Sequence, residues 1–103
     1  MASPQLERGY TRISNELIEA VCNRITNSTW VRILFWTMRL TYGWGRKETD
    51  SNYGAYATKL NLTKDTIKGA LLEMHDKRIL NFVSTTKERF VVAVNKNYDK
   101  WKV

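Results

Sequence analysis

The sequence has few of the residues that build disulfides, metal sites and catalytic centres. It contains one cysteine, Cys22, one histidine, His75, and one proline, Pro4. A single cysteine excludes an internal disulfide and a cysteine-based zinc site. The histidine has no second histidine or cysteine at ligand spacing, and no nucleophile motif accompanies it, so we interpret it as a helix-surface residue. We therefore expect a protein with no enzymatic activity, no metal and no cofactor.

Long hydrophobic runs are also missing. No segment approaches the roughly 20 consecutive apolar residues of a membrane-spanning helix, and the N-terminus from Met1 to Arg8 is too polar for a signal peptide. No segment has the unpacked amphipathic pattern of a membrane-surface helix. These features predict an intracellular, cytoplasmic protein with no membrane partner.

Positive charge is abundant. Against 10 Asp and Glu the chain carries 17 Lys and Arg, a formal net charge of +7, and 43% of its residues are hydrophobic. The hydrophobic fraction is enough for a folded core in one domain. The charge favours a polyanionic partner, and nucleic acid is the first candidate.

Two helices are predicted in the first half. Apolar residues recur at helical spacing over about 14–25, with Ser14 as N-cap, and Cys22 lies in this pattern between Ile18 and Ile25, where we expect a buried thiol. The second helix, about 29–42, is capped by Asn27 or Ser28. It is apolar nearly all round, which is typical of a central helix.

One polar seam crosses the second helix. Arg32, Trp36 and Arg39 follow at i, i+4 and i+7 and share a face. Trp36 is interpreted either as packed against a neighbouring element, which we favour, or as part of a protein interface or cation-π stack with the two arginines. Gly43 and Gly45 are predicted to end this helix, and we expect Trp44 between them to lie in the core. The polar segment 48–51 that follows could pair as a short strand.

The second half has the pattern of a winged helix-turn-helix. The helix-turn-helix consists of a weak helix over 52–60, a turn of about three residues, and a strong helix over 64–77 that Thr63 caps. The small side chain of Ala57 in the first of these helices allows the two helices to approach each other closely. The runs 79–83 and 89–94 predict an antiparallel hairpin, the wing. The predicted fold is α+β and mainly helical, with four helices and a small β-wing, as one domain over 1–103 whose residues 1–9 form a flexible N-terminal segment.

The candidate DNA contacts follow from this fold. The N-terminal half of a recognition helix enters the major groove, the wing tip meets phosphate or the minor groove, and a basic loop can add a third contact. The residues concerned are Thr63, Lys64, Asp65, Thr66, Lys68 and Gly69 in the helix, Lys87 and Arg89 in the wing, and Arg46 and Lys47 in the loop. Each lysine or arginine could instead belong to an ordinary solvated surface.

Several short motifs of the sequence are distinctive in combination. They are Gly-Tyr-Thr-Arg-Ile-Ser-Asn-Glu-Leu-Ile-Glu-Ala at 9–20, Thr-Tyr-Gly-Trp at 41–44, Arg46-Lys47, Asn-Lys-Asn at 95–97 and Trp101. With the helix-turn-helix, they make the chain resemble the N-terminal domain of the bacteriophage replication protein O family, the origin-binding initiators of lambdoid phages. The resemblance covers about 8–101.

The resemblance implies a winged-helix domain that recognises repeated sites in a phage origin, usually as two copies on a pseudo-palindrome, with base contacts from 64–68. Full-length members continue into a region that recruits the replicative helicase and its loader, whereas this sequence stops at Val103. We therefore expect either a part of a longer initiator or a short relative. Such a relative could be a transcriptional regulator or an accessory protein that binds a phage or host replication protein.

Overall fold

The computed structural model describes residues 9–103, so most of the segment predicted to be flexible, 1–9, lies outside the described residues. Each of its α-helices begins after a residue whose side chain caps it. Oxygens of Ser14, Asn27, Asn52 and Thr63 accept hydrogen bonds from backbone N–H groups of the first turns. The helices are α1, Asn15–Arg24; α2, Ser28–Thr41; α3, Tyr53–Leu60; and α4, Lys64–Asp76.

The central position predicted for the second helix is confirmed. Ile33, Leu34 and Met38 of α2 are completely or almost completely buried. The helix is nevertheless not covered all round, because Phe35 is 47% exposed. A turn of 3-10 helix, Tyr42–Trp44, follows, and Gly45 ends it in the left-handed region with φ of 65°.

In the part of the chain that the structure describes, three strands form one antiparallel sheet in the order β1-β3-β2. They are β1, Thr49–Asn52; β2, Leu80–Ser84; and β3, Arg89–Val94. Alternation along the strands directs Phe82, Phe90 and Val92 into the core. The hairpin from β2 to β3 is the predicted wing, and the short strand suggested at 48–51 is β1.

The core lies between the helices and the inner face of the sheet. Phe90 contacts the rings of Tyr53, Tyr56 and Phe82 at centroid distances of 5.0, 5.4 and 5.3 Å. The hydroxyl of Tyr56 is 2.7 Å from that of Thr37, and both side chains are fully buried. Over the described residues, 9–103, the fold is thus α+β and mainly helical, with four α-helices and a small antiparallel sheet, in agreement with a winged helix-like architecture.

Two predicted burials are wrong. Cys22 is exposed, because α1 buries only Leu17, Ala20 and Val21 on one side and leaves the adjacent edge of its apolar stripe in solvent. Trp44 is 64% exposed, because the 3-10 turn directs its side chain away from the core, and among the described residues only the guanidinium of Arg39 lies over its ring. His75 is confirmed as an exposed residue of α4, and its Nδ1 accepts a hydrogen bond from the N–H of Phe82 at 3.2 Å.

Candidate nucleic-acid interface

A three-residue turn joins α3 to α4, as the sequence predicts. Asn61 adopts the left-handed region with φ of 56° and ψ of 49°, which allows the chain to reverse directly after α3. The N–H of Leu62 donates to the carbonyl of Ala57 at 3.0 Å and fixes the turn. Helix α4 therefore begins at a defined angle to α3, next to the wing.

The first turn of α4 is held by two threonines. Thr63 Oγ1 accepts a hydrogen bond from the N–H of Thr66 at 3.2 Å, and the two hydroxyl oxygens are 2.8 Å apart. Both side chains are exposed. Their hydroxyls thus order the helix start, where exposed N–H groups and the positive end of the helix dipole favour an anion.

Both lysines of α4 lie on the flank that faces the wing. Lys64 Nζ is 3.6 Å from Glu88 Oε2 at the wing tip, and Lys68 Nζ is 5.9 Å from the ring centroid of Tyr53. A methyl group on Gly54 would be 3.5 Å from Cε of Lys64, so this side chain also passes over the start of α3. The contacts bring the helix-turn-helix and the wing into one surface.

The face of α4 opposite the core is not basic. Because Ile67, Ala70, Leu71 and Met74 are buried, helical spacing places a different set on the outermost line: Asp65, Gly69, Leu72 and Asp76. Leu72 is 45% exposed and was missed as a candidate contact, although its position off the apolar stripe could have identified it. A methyl group on Gly69 would meet no atom within 4 Å, so close packing against a neighbouring helix does not explain this glycine.

Charge changes sign along α4. The first half carries Lys64 and Lys68 against the single carboxylate of Asp65, whereas the second half carries Glu73 and Asp76. An anionic partner is therefore favoured only at the N-terminal half, which is also the part that a helix inserted end-first would present.

The two candidate residues of the wing differ. Lys87 is exposed at the tip. Arg89 Nη2 is 3.1 Å from Asp50 Oδ1 on the neighbouring strand, so part of its charge is neutralised within the protein. Lys87 is the better placed of the two to meet a phosphate.

Arg46 and Lys47 are not part of this surface. The register pairs Asn52 with Arg89 at the wing end of β1 and Thr49 with Val92 towards the other end. Residues 46 and 47 precede Thr49 and therefore lie at the end of the sheet away from the wing tip. There they line a groove together with Arg12 and Lys96.

The predicted seam on α2 is occupied by intramolecular contacts. A guanidinium N–H of Arg32 donates to the carbonyl of Leu60. Trp36 is half-buried against the core, as favoured, but the cation over its ring is Lys59, with Nζ 4.9 Å from the centroid. The guanidinium of Arg39 lies over Trp44 instead, at 5.6 Å. A stack of Trp36 between the two arginines is therefore not formed.

Comparison with known families places the chain in one of them. Residues 3–101 match the family described as bacteriophage replication protein O. The chain belongs to the bacteriophage replication protein O family. No curated protein and no solved structure matches it. Membership of the replication protein O family connects the fold to phage DNA replication.

Among the helices of residues 9–103 in this replication protein O domain, none is both long and apolar enough to cross a membrane. Within the same range, His, Cys, Asp and Glu side chains form no group of three that could hold a metal ion.

Proposed function

We propose that this replication protein O domain binds double-stranded DNA sequence-specifically at a phage replication origin, and thereby takes part in initiation inside the host bacterial cell. The observation that carries the proposal is the exposed N-terminal half of α4, where Lys64 and Lys68 lie beside the wing in a member of a phage replication family. Binding, with no chemical step, is the proposed activity.

In the proposed complex the start of α4 enters the major groove. Lys68 is the candidate for a base contact, since a lysine ammonium can donate to O6 and N7 of guanine. Leu72 lies one turn further along the helix, where an apolar side chain can contact a thymine methyl group. Lys87 and the N–H groups at the start of α4 are assigned to phosphates, which position the protein without reading sequence.

The test begins with selection of bound sequences from a random duplex pool at about 150 mM salt, where non-specific binding is weak. The proposal expects a repeated or palindromic motif to be enriched. No enrichment would contradict it.

Alanine variants then test the assigned roles on the selected duplex and on a scrambled one. Lys68→Ala should cost about 1–3 kcal/mol on the selected duplex only, whereas Lys87→Ala should weaken both duplexes alike. Lys100→Ala is the matched control, because Lys100 is exposed but lies beside the C-terminal end of α4. Equal losses on both duplexes for Lys68→Ala would refute the base contact.

A protein-binding role for the outer face of α2 is the second candidate. It is supported by Phe35, which is 47% exposed and lies between Arg32 and Arg39 on this face. Phe35→Ala should then abolish association with a phage or host replication protein and leave duplex affinity unchanged. A loss of duplex affinity in this variant would argue against a separate interface.

A further inference from the structure

Two adjoining grooves lie away from the helix-turn-helix and the wing tip. The first, of about 420 Å³, is lined by Tyr10, Arg39, Trp44 and neighbouring backbone, and we call it the aromatic groove. The second, of about 520 Å³, is lined by Arg12, Arg46, Lys47 and Lys96 among others, and we call it the basic groove. Neither takes part in the contacts assigned to duplex DNA.

The two grooves adjoin where the segment 9–12 meets the turn after α2. The segment 9–12 lies directly on the turn after α2, because a methyl group on Gly43 would be 3.0 Å from Thr11 Oγ1 and 2.9 Å from Arg39 Nη1. Tyr10 and Thr11 line the aromatic groove, whereas Arg12 lines the basic one. Because adjacent residues line the two grooves, a flexible polymer can extend from one groove into the other.

The aromatic groove presents rings that are not covered by the core. Tyr10 is 59% exposed and Trp44 is 64% exposed, and they are the two most exposed aromatic residues among those described. Each has a guanidinium beside it: Arg12 is 5.8 Å from the ring centroid of Tyr10, and Arg39 is 5.6 Å from that of Trp44. Exposed rings next to cations suit a ligand that has both flat π-faces and negative charge.

The basic groove supplies charge of nearly one sign. Its lining includes four cationic side chains and one carboxylate, that of Glu16, which accepts a hydrogen bond from the hydroxyl of Tyr98 at 3.5 Å. The ammonium of Lys96 lies 4.9 Å from the ring centroid of Tyr42 at the same groove. Such a groove favours a phosphodiester backbone.

We propose that the two grooves form a binding site for single-stranded DNA. Unpaired bases stack on Tyr10 and Trp44, and phosphates pair with Arg39 and with the cations of the basic groove. A duplex is a poorer ligand, because its base faces are covered by stacked neighbours. An acidic peptide would satisfy the cations but would leave the exposed rings without flat partners. The proposal does not depend on duplex recognition by α4.

The test compares three ligands by fluorescence anisotropy: a labelled thymidine strand of about 12 nucleotides, an abasic strand of the same length, and a scrambled duplex. The thymidine strand should bind most tightly. Trp44→Ala should weaken its binding about 5- to 100-fold and leave the abasic strand unaffected, whereas Trp44→Phe should keep most of the affinity. Tyr10→Ala is a second variant with the same expectation.

Lys68→Ala provides the control that separates this site from the proposed duplex site, because it should leave single-strand affinity unchanged. The proposal would be overturned if the abasic strand bound as tightly as the thymidine strand, or if neither Trp44→Ala nor Tyr10→Ala changed the affinity. Displacement of the thymidine strand by polyglutamate at equal charge would also overturn it and would indicate an acidic protein partner.

Discussion

At the scale of single residues, the fully buried pair of Tyr56 and Thr37 controls behaviour at high pH. Burial raises the pKa of Tyr56 from 10 to about 12, against the smaller opposing effect of the hydrogen bond between Tyr56 and Thr37. The neutral phenol is thus favoured by folding. Since the folded-state pKa lies above the unfolded value, this contribution to stability is complete below pH 10 and is lost as the pH rises towards 12.

Tyr56→Phe tests this linkage. At neutral pH the variant should be less stable by about 1–3 kcal/mol, because Thr37 loses its buried partner. Between pH 10 and 12 the free energy of unfolding of the wild type should fall by up to about 3 kcal/mol more than that of the variant. The plots of unfolding free energy against pH for the two proteins should therefore converge. Urea unfolding at several pH values measures both effects. Parallel curves across this range would show that Tyr56 does not titrate differently in the folded state.

At the scale of elements, Gly69 separates the stability of α4 from its proposed function. A glycine in the interior of a helix costs about 0.5–1 kcal/mol relative to alanine, and a methyl group here would meet no protein atom within 4 Å. Gly69→Ala should therefore raise the free energy of unfolding by about this amount. If α4 enters the major groove, the same variant should bind the selected duplex more weakly. Unchanged duplex affinity would place Gly69 outside the interface.

The ion pair between α4 and the wing tip permits a second test at this scale. Lys64 and Glu88 are 3.6 Å apart and largely exposed, so their pairing contributes little to stability, at most about 1 kcal/mol. Glu88→Gln should instead strengthen binding to any duplex, because Lys64 loses its ion-pair partner and becomes free to contact a phosphate. The dependence of affinity on salt concentration should become steeper by up to the amount expected for about one additional phosphate contact.

Glu19→Gln is the matched control for Glu88→Gln, since Glu19 is an exposed residue of α1 and its loss changes the net charge equally. Equilibrium binding over a salt series distinguishes the two variants. Equal gains in affinity would mean that net charge alone, and not the position beside α4, is responsible.

The elements were more predictable from sequence than the surface was. Capping residues and apolar periodicity located α1 to α4 and the wing within one or two residues, because both signals are local. The exposure of Cys22 and Trp44 depends on what packs beside them, which periodicity does not reveal. In the same way, the separation of Arg46 and Lys47 from α4 follows from sheet register, and the contact of Lys64 with Glu88 joins residues far apart in the chain.

At the scale of the whole molecule, the described surface offers little for self-association without DNA. A stable interface needs about 800 Å² from each partner with an apolar centre. The exposed large apolar side chains are instead divided among several places: Ile18 on α1, Phe35 on α2, Leu72 on α4, Val83 on β2, Val103 at the end of the sequence, and Tyr10 with Trp44 in the aromatic groove. The net charge of +7 further opposes association of free copies.

We therefore expect a monomer in solution and two copies only on a palindromic site. Sedimentation velocity at micromolar protein should give the monomer mass, and titration of the selected duplex should saturate at two proteins per palindrome and one per isolated half-site. The half-site spacing should be one helical turn of DNA or a multiple of it, so that both α4 helices meet the same face. A dimer that forms without DNA would show that a surface such as the Phe35 face of α2 already holds two copies together.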